Sequence, residues 1–160
     1  KYYTLSMLKK TFILIFFIFL TSCGYKAMHS KQNTINTDFS INQITFIGDR
    51  EINLRIKRKL NNYTLIKKDR NFSLIISSNT TKLVSARDGS GDPISFQNIV
   101  TINVEVLMNN KNKNNLKIVE KFNYNNSGNK FSLKKYEREI KNNLTESVSE
   151  KLIYKLSNIQ

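Results

Sequence analysis

The 160-residue chain is poor in the residues from which most enzyme sites are built. Its one cysteine, Cys23, leaves no intramolecular disulfide and no paired-cysteine metal or redox motif. Its one histidine, His29, lies in a polar segment without cysteine or carboxylate neighbours at ligand spacing, so it reads as a solvated side chain. Five glycines and one proline supply turns but no glycine-rich phosphate loop behind a strand. Acidic residues number 12 against 26 basic ones. Asp88 and Asp92 flank a glycine turn but lack the ligand ladder and terminal glutamate of a calcium loop. Glu137 and Glu139 stand two apart on a helix and face different directions, so they do not share a proton. With these groups missing, the expectation is a protein that is not an enzyme and holds neither metal nor cofactor.

Long apolar runs are equally scarce, and the one present ends at the lone cysteine. Residues Met7 to Ser22 read as an export signal: Lys9 and Lys10 form a basic start, Phe12 to Leu20 an apolar core, and small polar residues follow. A helix of nine residues spans about 14 Å, against about 30 Å of hydrocarbon, which argues against a membrane anchor. Residues 1–22 are therefore assigned as a signal peptide, with translation expected to start at Met7. Leu20-Thr21-Ser22-Cys23 has the form of a bacterial lipobox, which makes Cys23 the expected lipidation site. Acylation of its sulfur and of the new amino terminus gives the several chains that stable anchoring requires. The alternative is a buried, unmodified cysteine behind an ordinary signal peptide. Gly24, by similarity to enterobacterial lipoproteins, points to the outer membrane rather than the inner one.

Removing Lys1, Lys9 and Lys10 leaves 23 basic residues against 12 acidic ones from Cys23 onward, a formal charge of +11. Such a balance suits an anionic partner. Twenty lysines and 22 asparagines against six arginines also fit the codon bias of an AT-rich genome. No stripe interleaves aromatics with basic residues, and an exported chain seldom meets nucleic acid, so lipid phosphate is the expected anion and nucleic acid is not.

Residues 23–40 are expected to form the lipidated N-terminus and a polar tether, and 41–160 a single domain. Ile41 to Ile47, closed by Gly48, reads as a strand. Asp49 then caps a basic amphipathic helix with Ile52, Ile56 and Leu60 on one face. Lys57 to Lys59, near its C-terminal end, also suit the helix dipole. Phe72, Leu74 and Ile76 open a long second strand that fades into Thr80 to Arg87 before the turn 88–93. The third strand alternates most clearly, with Ile94, Phe96, Val100, Ile102, Val104, Val106 and Met108 on one face. After a polar turn at 109–115, Leu116, Ile118, Phe122 and Tyr124 mark a fourth strand on the same phase. From Leu133 the period becomes helical, with Tyr136, Ile140, Leu144, Val148, Leu152 and Leu156 in an i, i+4 row. The expected fold is α+β, a two-layer sandwich in the order β-α-β-β-β-α. Its four-stranded, mostly antiparallel sheet is covered on one face by two helices, with the first strand parallel to its neighbour.

Lys134 and Lys135, at the expected start of the last helix, oppose the helix dipole by about 0.3–1 kcal/mol each, so folding does not favour them there. Arg87, where the second strand enters its turn, can grip phosphate in a bidentate manner. These three are the candidates for contact with an anionic ligand, the alternative being that all are simply solvated.

Several ordered features together resemble the LPS-assembly lipoprotein (LptE) family. They are Cys23-Gly24-Tyr25 behind the signal, the Asp49-Arg50 helix start, the long hairpin around Gly89 and Gly91, and the terminal Leu152-Ile153-Tyr154-Lys155-Leu156. The resemblance covers nearly all of the chain after Cys23 and rests on order and length rather than on one motif. It implies an outer-membrane lipoprotein, palmitate-bearing and facing the periplasm. Such a protein plugs and assembles an LptD-type outer-membrane β-barrel and binds lipopolysaccharide, with Arg87, Lys134 and Lys135 against lipid A phosphates. The lysine- and asparagine-rich surface departs from the family. Two other readings stand beside it: a periplasmic lipoprotein subunit of another lipid-transport system, and a stand-alone structural lipoprotein.

Overall fold

Alternating apolar residues commit four segments to one sheet, and the helical rows supply its cover. The computed structural model of the chain describes residues 38–65, 67–108 and 112–159. Cys23, His29, the export segment and the tether up to residue 37 lie outside them. The elements run β1 (Phe39–Gly48), α1 (Arg50–Leu60), a 3-10 turn (Asn61–Tyr63), β2 (Arg70–Arg87), β3 (Pro93–Met108), β4 (Asn112–Asn125) and α2 (Lys130–Ser157). This is the α+β order expected from the sequence. The sheet is open, in the order β1-β2-β3-β4. β1 pairs parallel to β2, and the other two pairings are antiparallel.

One face of the sheet carries the core. Phe72, Leu74 and Ile76 of β2, and Val100, Ile102, Val104 and Val106 of β3, are buried. Each large aliphatic or aromatic side chain so placed contributes about 1.5–3 kcal/mol. α1 lies over β1 and β2 and inserts Ile52, Ile56 and Leu60, while α2 lies over β3 and β4. The row Ile140, Leu144, Val148, Leu152 and Leu156 of α2 is buried, but Tyr136, which heads it, remains 44% exposed. Ion pairs fasten the helix layer: Lys59 to Glu146 and Glu150 between the helices, and Lys151 to Glu120 between α2 and β4.

Three boundaries differ from expectation, each for a local reason. β4 starts at Asn112 rather than at Leu116, because its pairing with β3 runs on to Met108↔Asn112 and draws residues 112–115 of the expected turn into the strand. β1 starts at Phe39, because that ring is buried, stacked on Tyr63 at 5.2 Å and tilted against Phe72 at 5.5 Å. α2 starts at Lys130, because Asn129 Oδ1 accepts from the Phe131 and Ser132 amides at 3.1 and 3.0 Å.

The joint between β1 and α1 is fixed by a glycine and an aspartate. Gly48 has φ +93°, and a Cβ there would sit 2.0 Å from the Ser78 carbonyl oxygen. No other residue fits. That approach lets the Asp49 amide donate to the same oxygen at 3.1 Å. The Asp49 carboxylate accepts from the Glu51 and Ile52 amides, and Lys141 of α2 pairs with it at 2.8 Å. Beneath, Ser78 donates to Asn53 at 2.7 Å and Asn53 donates to the Ile47 carbonyl at 3.2 Å, so these buried polar groups are satisfied.

Candidate functional site

β2, β3 and β4 run on past the end of β1, whose register with β2 stops at Ser78. β2 is largely exposed from Asn79 onward, so the hairpin overhangs the core. Its turn is built from polar backbone contacts. Asp88 Oδ1 accepts from the Ser90 and Asp92 amides, both at 2.9 Å, and Gly91 takes φ +90°. These bonds account for Asp88 and Asp92 as turn residues. Arg87 is exposed, and one of its five donors, an Nη1–H, closes the turn on the Gly91 carbonyl at 2.7 Å.

The first turns of α2 lie at this same end, because β4 ends beside the start of β3. The Asn126 amide donates to the Ile94 carbonyl at 2.8 Å, and its side chain donates to the Pro93 carbonyl at 2.7 Å. Lys134 and Lys135 are exposed. They stand in the second turn of α2 rather than at its start, since the helix begins four residues before Lys134. Lys130 occupies the first position, and no acidic residue stands in the first turn. The fold therefore brings the Arg87 turn and the Lys134-Lys135 corner to one end of the sheet. Large apolar side chains are exposed there too: Leu83, Val84, Ile94, Phe122 and, at 82%, Phe131.

A polar strut holds the overhang to α2. Glu137 Oε1 accepts from Lys82 Nζ at 2.5 Å and from the Tyr124 hydroxyl at 2.8 Å. The same ammonium lies 3.9 Å from the centre of the Phe96 ring, a cation–π contact. Burial and then the Glu137 carboxylate push the Tyr124 phenol well above its usual range, so it remains a donor. Sequence reasoning missed Lys82 and this use of Glu137. The available signal was parity: Lys82 shares the phase of Phe72, Leu74 and Ile76 and so points to the helix side of the sheet. Among the described residues no group of three or more His, Cys, Asp or Glu is placed to hold a metal ion. No helix there is long and apolar enough to cross a membrane.

Neither a protein-family model nor a curated protein matches this chain. Solved structures do. The crystal structure of a minor lipoprotein from Acinetobacter baumannii matches with a TM-score of 0.54 at 9% identity, over 72% of this chain and 90% of that one. The solution structure of lipoprotein B from Nitrosomonas europaea matches with a TM-score of 0.53 at 8% identity, over 76% of this chain and 86% of that one. At such identities the likeness speaks for the fold alone. The chain has a fold that is found in bacterial lipoproteins.

Proposed function

We propose that this protein is an outer-membrane lipoprotein of the LPS-assembly type, a non-enzymatic partner and plug of an LptD-type β-barrel that binds lipopolysaccharide. Acyl chains on Cys23 hold it at the periplasmic leaflet. The observation that carries the reading is the overhanging end of the sheet. There Arg87, Lys134 and Lys135 share one end of the sheet with exposed Val84, Ile94 and Phe131. An amphiphile that bears phosphates beside acyl chains needs both chemistries in one place. The lipobox at Cys23 and the fold in common with lipoproteins support the same reading.

Replacing Arg87, Lys134 and Lys135 together with glutamate tests it. A charge-assisted hydrogen bond contributes about 1.5–3 kcal/mol, so lipopolysaccharide binding should weaken by more than about tenfold. Thermal unfolding should stay nearly unchanged, because all three side chains are exposed. Unaltered binding removes these residues from the site. A detergent pull-down of the full chain should recover a large β-barrel, and its absence rejects the barrel partnership.

A further inference from the structure

The two edges of the sheet are guarded differently. β4, at one edge, carries Lys117, Glu120 and Lys121. β1, at the other, reads Phe-Ser-Ile-Asn-Gln-Ile-Thr-Phe-Ile-Gly, without a charged residue or a proline. No described strand pairs with its outer edge. Edge strands are ordinarily blunted by charge, proline or a bulge, because unpaired amides and carbonyls invite another strand. The one bulge in β1 lies between Ile41 and Gln43, and from Gln43 to Gly48 the register with β2 is unbroken. A regular, uncharged edge of six residues is thus exposed along one side of the molecule.

The helix beside this edge is charged on one flank. Glu51 and Lys59 of α1 face α2, where they pair with Lys141 and Glu146. Arg50, Leu54, Lys57 and Asn61 fall on the opposite flank at helical spacing, toward the β1 edge, with Arg58 next to them. Leu54, Lys57, Arg58 and Asn61 line an open hollow of about 480 Å³. Lys59, Lys82, Lys141 and Lys151 are all paired with carboxylates, whereas Arg50, Lys57 and Arg58 have no ion pair among the described residues. The dipole favours cations in the last turn of α1 but does not select this flank.

We propose that the free edge of β1 and the adjoining flank of α1 form a docking site for an extended peptide strand that carries acidic side chains. The strand adds to the sheet alongside Gln43 to Gly48, and its carboxylates on the helix side meet Arg50, Lys57 and Arg58. Main-chain bonds supply affinity, and the cations select the partner. Charge complementarity disfavours a second copy of this chain, because antiparallel pairing of two β1 edges sets the two cationic flanks against each other.

The test uses the full chain in detergent with two synthetic ten-residue peptides. Both alternate valine and threonine on one face, and the other face carries glutamate in one peptide and lysine in the other. Fluorescence anisotropy should show the glutamate peptide binding at least tenfold tighter. Amide hydrogen exchange should slow at alternate positions within 43–48 when it is bound. Lys57→Glu with Arg58→Glu should reverse the preference between the peptides, and Thr45→Lys, at an exposed position, should weaken both. Protection elsewhere on this basic protein without protection in β1 overturns the proposal, as does equal binding of the two peptides. A concentration-dependent dimer in sedimentation that Thr45→Lys abolishes also overturns it, by making a second copy the occupant.

Discussion

Asp49 shows how one side chain serves several elements. It caps α1, takes Lys141 of α2, and lies 3.4 Å from the Thr80 hydroxyl of β2. Burial raises its pKa, but the Lys141 ammonium and the Ile52 and Glu51 amides outweigh burial and hold it below its ordinary value. For Lys141, burial acts downward and is outweighed by Asp49 and Glu51, so its pKa is raised. A depressed carboxyl contributes stability above its unfolded pKa and loses it as pH falls through the folded one. A raised ammonium contributes below its unfolded pKa and loses it as pH rises through the folded one. The pair therefore stabilises across neutral pH, weakening below the ordinary carboxylate range and above the ordinary lysine range. Asp49→Ala should cost about 0.5–2 kcal/mol in urea unfolding at pH 7 through loss of the cap. Asp49→Asn keeps the cap and should cost less, yet it should flatten the acid limb of stability against pH. An acid limb unchanged in Asp49→Asn would assign that limb to other carboxyls.

Among the elements, α2 was the most legible, because its i, i+4 row continues from Tyr136 to Leu156 and is buried from Ile140 onward. Leu152 is fully buried, so Leu152→Ala should destabilise the protein by about 2–5 kcal/mol. Tyr154, two residues on, is 65% exposed, and Tyr154→Ala should stay within about 0.5 kcal/mol, both read from denaturant midpoints. The same periodicity misjudged the head of the row. Tyr136 lies over the overhang, where it meets Tyr124 edge-on at 6.0 Å instead of entering a covered core. Ile94 and Phe122 fare likewise: their strand phase was right, yet the cover runs out above them and both stay half-exposed. The starts of β1 and α2 shifted because an aromatic stack and an asparagine cap, rather than periodicity, set them.

On the scale of the whole molecule, the helices cover only part of the sheet, and the uncovered end is where the candidate anion-binding residues gather. The strut from Lys82 through Glu137 to Tyr124 ties that end to α2. It was hidden in the sequence because its partners are far apart along the chain and meet only across the sheet. Under the proposed function the anchor acts apart from this end. Cys23→Ala should move the protein from the membrane to the soluble fraction on centrifugation, with the thermal midpoint unchanged. A lower midpoint would give Cys23 a structural role.

The chain's periodicities determined its element order and the phase of β2, β3 and β4, because these depend on residue type and local spacing. They also placed Arg87 in a turn and Lys134 and Lys135 on a helix. Tertiary structure alone decided that these three share one end, that apolar side chains accompany them, and that Lys82 and Glu137 meet. It also decided that β1 is left as an uncharged edge beside the cationic flank of α1. Each of these follows from strand order and from where the helical cover stops, and neither is written in local spacing.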